Sequence, residues 1–146
     1  MTIVERNILI NASPQQVDAI ASDPERWPEW YANIEKAKVD AVFPEVGGIV
    51  EITFNVIGIV FNVKFVQHEF IPAQKSVCKI EGRFTGASRF MLTPEQEGTR
   101  AALALKYKVP GGFFTGLANN LFIKEKIEDN LETSLRNLKK LVETEG

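Results

Sequence analysis

Up to Val109 most of the chain alternates polar and apolar residues with a period of two. From Phe113 to about Glu143 it follows a single helical period instead. Pro110-Gly111-Gly112 separates the two regimes. A helix of roughly 31 residues is about 46 Å long at 1.5 Å per residue. A compact chain of 146 residues has a radius of gyration of about 15 Å. The helix must therefore cross the whole molecule, and the alternating segments must be arranged around it.

Those segments are short and closely spaced. Thr2–Ile10 reads as the first strand, with Val4, Ile8 and Ile10 set against Glu5 and Asn7. Ser13-Pro14-Gln15-Gln16 then carries a helix start: a serine cap, a proline at the first position and a glutamine placed to reach back. That helix is read from Pro14 to Ser22. Asp23-Pro24 repeats the cap-then-proline signal and opens a second short helix through Trp27, Trp30 and Tyr31, which Pro28 keeps short. Six further alternating runs follow, with turns expected at Gly47-Gly48, Ile57-Gly58, Phe70–Ala73, Thr85-Gly86 and Pro94–Gly98. The pattern predicts an α+β domain spanning 1–146, with a curved seven-stranded antiparallel sheet and one wet face.

Seven strands at about 4.8 Å make a sheet roughly 34 Å wide, whereas one helix is only about 10–12 Å across. The apolar face expected to point inward carries Ile52, Phe54, Phe61, Phe65, Ile80, Phe84, Phe90, Leu103 and Leu105. A single helix cannot cover that width, so the sheet must curl around it and the two short helices must plug one edge. Such curling is expected to leave a cavity between sheet and helix. On the helix, Leu117, Leu121, Leu131, Leu135, Leu138 and Val142 form a stripe that Lys124 and Glu128 interrupt. A bend or axial shift near Asn119–Lys124 is therefore expected, with Phe113–Leu121 facing the cavity. Alternatively, Lys124 and Glu128 snorkel to the rim and pair with each other.

The chemistry-bearing residues are few. Ten Phe stand against a single His (His68) and a single Cys (Cys78). One Cys permits no internal disulfide, which suits a reducing compartment, and one Cys with one His cannot build a structural zinc site. Lys plus Arg is 17 against 19 Asp plus Glu, so no basic face for nucleic acid is expected. No apolar run reaches the length of a membrane span and Met1–Asn11 lacks a signal core, so a cytoplasmic location is expected. By alternation His68 points outward with Asn62 and Lys64, and Glu51, Glu81, Arg83 and Arg89 lie on outward phases too. Cys78 points inward as a core thiol. Inward polar groups are Gln67, Ser88 and Tyr107, with Arg6, Thr115 and Asn120 as further candidates. No catalytic set, metal site or cofactor is legible.

The opening Ile8-Leu9-Ile10-Asn11-Ala12-Ser13-Pro14, followed by Val17 and then Ser22-Asp23-Pro24-Glu25-Arg26-Trp27-Pro28-Glu29-Trp30, resembles the SRPBCC superfamily. That superfamily includes START-related lipid-transfer domains, birch-pollen-allergen-like proteins and polyketide cyclases/dehydrases. The resemblance covers the whole chain and implies a helix-grip fold whose cavity binds hydrophobic ligands. Together with the inward phases it sets the expected ligand-binding residues. These are Trp27, Trp30 and Tyr31 at an entrance or plug, and Phe54, Phe61, Phe65, Ile80, Phe84, Phe90, Leu103, Leu105 and Tyr107 on the sheet. Phe113, Phe114, Leu117 and Leu121 complete the set on the helix. The apolar tips Val56–Val60 and Gly111–Phe114 are expected to form a gate, with transient membrane contact possible there. The expected function is binding or carriage of a lipid, isoprenoid quinone or polyketide-like molecule. The alternatives are a cyclase or dehydrase and a protein-interaction module.

Overall fold

The computed structural model describes residues 2–56, 58–108 and 119–145. The elements follow the order β1 (Thr2–Ile10), α1 (Pro14–Ala21), a single 3-10 turn (Pro24–Arg26) leading directly into α2 (Trp27–Trp30), then β2 (Ile34–Val39), β3 (Ile49–Val56), β4 (Ile59–Ile71), β5 (Lys75–Gly82), β6 (Thr85–Glu95), β7 (Gly98–Lys108) and α3 (Asn119–Glu145). The strands form one seven-stranded sheet in the order β1-β7-β6-β5-β4-β3-β2, with every pair antiparallel. The chain thus runs as a meander from β2 to β7, and β1 closes onto β7 with Val4 opposite Leu105 and Ile10 opposite Thr99.

Local chemistry fixes the short helices. Ser13 Oγ accepts the Gln16 amide at 3.2 Å while Gln16 Oε1 accepts the Ser13 amide at 2.9 Å, a complete capping box. Asp23 caps the 3-10 turn by accepting the Glu25 amide at 3.2 Å. The β6–β7 connection depends on Gly98, whose φ is +147°; a Cβ at this position would stand 2.1 Å from the Ile10 carbonyl oxygen. Only glycine fits there.

α3 lies across the concave face and is tied at several points. Arg6 on β1 donates to Glu128 at 2.7 Å and to Glu132 at 2.9 Å. Lys139 Nζ donates to the Leu9 carbonyl at 2.9 Å, and Glu143 accepts the Asn11 amide at 2.8 Å. Ser134 Oγ accepts the Ala32 amide at 2.9 Å, and Asn137 donates to the Trp30 carbonyl at 3.2 Å.

The buried stripe of α3 differs from the sequence expectation. Ile123, Ile127, Leu131, Leu135, Leu138 and Val142 are all buried. They follow steps of four, four, four, three and four residues, which keep one face of a 3.6-residue helix turned inward. A stripe drawn through the leucines alone puts Lys124 and Glu128 at its centre. With the isoleucines included the stripe is continuous, and there is no break for a bend to relieve. Glu128 is bonded by Arg6 rather than by Lys124. Residues 113–118, where the sequence pattern starts the helix, lie outside the described residues.

Two further boundaries move. Thr85 and Gly86 belong to β6 rather than to a turn, and Phe84 sits in the connection after Gly82 instead of on β5. Gly82 has a φ of +136°, which ends the strand earlier than simple alternation suggests. In β4 the register shifts between Gln67 and Glu69. His68 lies at this irregularity and is exposed, on the outward side as expected.

Candidate functional site: the concave interior

The interior is an aromatic row. Ring centroids connect Phe43 to Trp27 at 5.8 Å, Trp27 to Phe65 at 5.9 Å, Phe65 to Phe54 at 6.0 Å and Phe54 to Phe84 at 6.0 Å. The row runs beneath the sheet from the 40–48 loop to the β5–β6 connection. Trp30 and Tyr31 stack beside it with centroids 3.9 Å apart, and Trp30 also meets Phe90 at 6.2 Å. Such edge and offset contacts add about 0.5–1.5 kcal/mol each beyond area burial. In the Trp-Pro-x-Trp segment both tryptophans are buried while Pro28 and Glu29 are exposed, and the Trp27 indole donates to the Ala21 carbonyl at 2.8 Å.

Two small voids remain among the described residues. One, of about 20 Å³, lies between Trp27, Trp30 and Tyr31 on one side and Phe65, Cys78, Ser88 and Phe90 on the other. The second, of about 30 Å³, is bounded by Tyr31, Phe54, Phe65, Leu103 and Leu105 from the sheet side and by Ile127, Asn130 and Leu131 from α3. Tyr31, Phe65 and Ser88 wall both. Of the expected ligand-binding residues, Trp27, Trp30, Phe54, Phe65, Ile80, Phe90, Leu103 and Tyr107 are buried, and Tyr31, Phe84 and Leu105 are half-buried. Ile80, Phe84 and Tyr107 border neither void. Phe113, Phe114 and Leu117 lie outside the described residues, as do the side chains of Phe61 and Leu121. The same holds for Gly111–Phe114 of the expected gate. At its other tip, Ile59 and Val60 are exposed and Val56 is buried.

Sequence reasoning missed Phe43, Asn33 and Asn130. Phe43 sits in a loop with no period to read. The two asparagines are placed by contacts between distant elements, for which sequence spacing carries no signal.

The interior is electrically neutral. Its buried polar side chains are Gln67, Ser88, Thr99 and Ser134, and no charged side chain is buried among the described residues. Gln67 Oε1 accepts from Ser76 Oγ at 3.0 Å and from Cys78 Sγ at 3.2 Å, while its Nε2 donates to the Pro44 carbonyl at 2.9 Å. Burial pushes the Cys78 thiol up to about 12, so it is a packed, protonated thiol rather than a nucleophile. Burial also raises Tyr31 well above the ordinary tyrosine range, with the Ser88 hydroxyl within hydrogen-bonding reach. Some of Tyr31 reaches solvent, but its hydroxyl end is enclosed. The indole nitrogen of Trp30 is buried without a protein acceptor.

Charge collects at the rim and outside. Arg6, Glu128 and Glu132 bridge β1 and α3 in a partly exposed cluster. Tyr107 lies close by, its hydroxyl raised chiefly by burial and also by Glu128. On the outer face Lys38, Glu51, Lys64 and Glu81 align across β2–β5 and wall an open trough of about 1010 Å³. Its charges alternate in sign from strand to strand, which sets it apart from the neutral interior. Among the described residues no group of three His, Cys, Asp or Glu could hold a metal ion, and no helix is long and apolar enough to cross a membrane.

A curled antiparallel half-barrel gripping a long C-terminal helix defines the helix-grip class of the SRPBCC superfamily. The chain belongs to the family of polyketide cyclases/dehydrases and lipid-transport proteins, whose sequence model matches residues 1–143. Among solved structures it is similar to TTHA0849 from Thermus thermophilus (23% identity, TM-score 0.81, 99% of each chain covered). It is also similar to a START superfamily protein from Mycobacterium smegmatis (17% identity, TM-score 0.81, 99% of each chain covered). A third is the di-domain ARO/CYC StfQ from the steffimycin biosynthetic pathway (15% identity, TM-score 0.79), of which 51% is covered by 98% of this chain. No curated protein matches the sequence.

Proposed function

We propose that this protein binds or carries a hydrophobic small molecule, a lipid, isoprenoid quinone or polyketide-like compound, between the sheet and α3. The observation that carries this reading is the neutral aromatic interior. A continuous row of rings spans it, its buried polar groups are uncharged, and burial holds the protons of Tyr31, Cys78 and Tyr107. Such a surface gains from an apolar guest and gives a charged one no counter-ion. The two described voids, of about 20 and 30 Å³, both touch Tyr31, so a guest spanning them would displace the side chains around it. Half-buried Phe84, in the β5–β6 connection, and exposed Ile59 and Val60, at the start of β4, lie at the same end of the sheet, which we take as the end from which a guest would enter. Native mass spectrometry of the purified protein before and after organic extraction tests the reading. The expected result is a bound mass that extraction removes and that an apolar probe restores. A protein that carries no adduct and takes up no probe would contradict it.

A second reading, a cyclase or dehydrase, is supported by the family match. Its candidate acid is the buried Tyr107 hydroxyl, and because burial and Glu128 raise that group, this reading requires a bound substrate to lower it again.

A further inference from the structure

Among the described buried side-chain nitrogens and oxygens, one has no partner. Gln67 is satisfied at both ends. Thr99 Oγ1 donates to the Ala12 carbonyl at 2.7 Å and Ser134 Oγ to the Asn130 carbonyl at 2.6 Å. The Trp27 indole has the Ala21 carbonyl, and the Ser88 hydroxyl lies within hydrogen-bonding reach of the Tyr31 hydroxyl. Trp30 is 1% exposed, and its Nε1 has no acceptor. A buried N–H left unpaired carries the full cost of its desolvation, so an unpaired group in a native interior calls for an explanation.

Trp30 borders the smaller void, whose volume of about 20 Å³ has room for one oxygen-sized atom. That void shares Tyr31, Phe65 and Ser88 with the second. A molecule bridging both would therefore have one end at Trp30 and an apolar body against Phe54, Phe65 and Leu105.

We propose that the Trp30 indole N–H is the polar recognition point of the interior, and that it selects a neutral apolar ligand bearing a carbonyl-type acceptor oxygen. This inference rests on the ligand-binding reading above and narrows its ligand class. An N–H donor rewards an acceptor and has nothing to offer a second donor. A carboxylate or phosphate head is disfavoured, because among the described residues no cation is buried with Trp30 to offset its desolvation. A bare hydrocarbon would fill the space and leave the N–H unpaired.

The test uses three probes built on one tricyclic ring framework: 9-fluorenone, fluorene and fluorene-9-carboxylate. The chain has two Trp residues, so indole labelling with ¹⁵N gives two cross-peaks, which Trp30→Phe assigns. In the delipidated full chain, 9-fluorenone is expected to bind at least fivefold more tightly than fluorene and to move the Trp30 indole proton downfield, leaving that of Trp27 in place. Fluorene-9-carboxylate is expected to bind most weakly. In Trp30→Phe the preference for fluorenone over fluorene should disappear. Equal affinity of fluorene and fluorenone, or an unmoved Trp30 resonance at saturation, would overturn the assignment of Trp30 while leaving the ligand-binding reading intact. Failure of all three probes to bind would overturn both. The indole shift is read in the unsubstituted protein, so the test survives a variant that fails to fold.

Discussion

Cys78 shows how an interior position decides what a residue can do. Sequence phase alone places it inward, and the structure adds the reason for its inertness: enclosure, with Gln67 Oε1 accepting from its sulfur at 3.2 Å. The native thiol, pushed up to about 12, keeps its proton where an unfolded one, with a pKa of about 8.5, loses it. The sign follows from linkage. Stability is complete below about pH 8 and is lost as pH climbs from there toward 12. Iodoacetamide at pH 8 should leave the native thiol unmodified and alkylate it promptly in denaturant. The unfolding midpoint should fall above about pH 9, and fall less in Cys78→Ser, which removes one of the titrating groups. Rapid alkylation of the native protein would contradict the buried placement. Trp30 marks the limit of sequence reading at this scale. Its inward phase is legible, but its missing acceptor depends on where every nearby carbonyl ends up.

At the scale of elements, α1 and the meander are readable because their signals are local. Ser13-Pro14-x-Gln16 is a complete cap in the sequence and in the fold, and strict alternation in β3 predicts Val50, Ile52, Phe54 and Val56 as the buried set. The pattern misleads where one residue changes the count. Gly82 ends β5 early and displaces Phe84. On α3, leaving Ile123 and Ile127 out of the stripe creates an interruption that the helix does not have. The continuous stripe can be tested. Leu138→Ala, at a fully buried position, should cost about 2–5 kcal/mol in urea unfolding. Phe122→Ala, at a position 52% exposed, should stay within about 0.5 kcal/mol. Comparable losses at the two positions would show that the stripe has been assigned to the wrong face. Gly98→Ala should also destabilise strongly, because its Cβ would stand 2.1 Å from the Ile10 carbonyl oxygen.

At the scale of the whole molecule, the mismatch between a wide sheet and one narrow helix predicts the curl, and that geometry is legible in the sequence. The degree of filling is not. Side-chain volumes do not reveal how rings from distant strands interlock, and the described interior is closed down to voids of about 20 and 30 Å³ around Tyr31. The large apolar side chains exposed among the described residues lie toward the two ends of the sheet rather than across its outer face. Ile3, Ile59, Val60 and Phe122 are at one end, and Val42, Val46 and Ile71 toward the other. A neutral, ring-lined interior with an apolar end is the arrangement expected of a protein that takes an uncharged guest between sheet and helix. Titration of the delipidated protein with Nile red, a neutral apolar dye, tests that claim most directly. The expected result is a blue-shifted emission that saturates at one dye per chain and is displaced by fluorene. An emission that stays unshifted, or that rises without saturating and ignores fluorene, would contradict it.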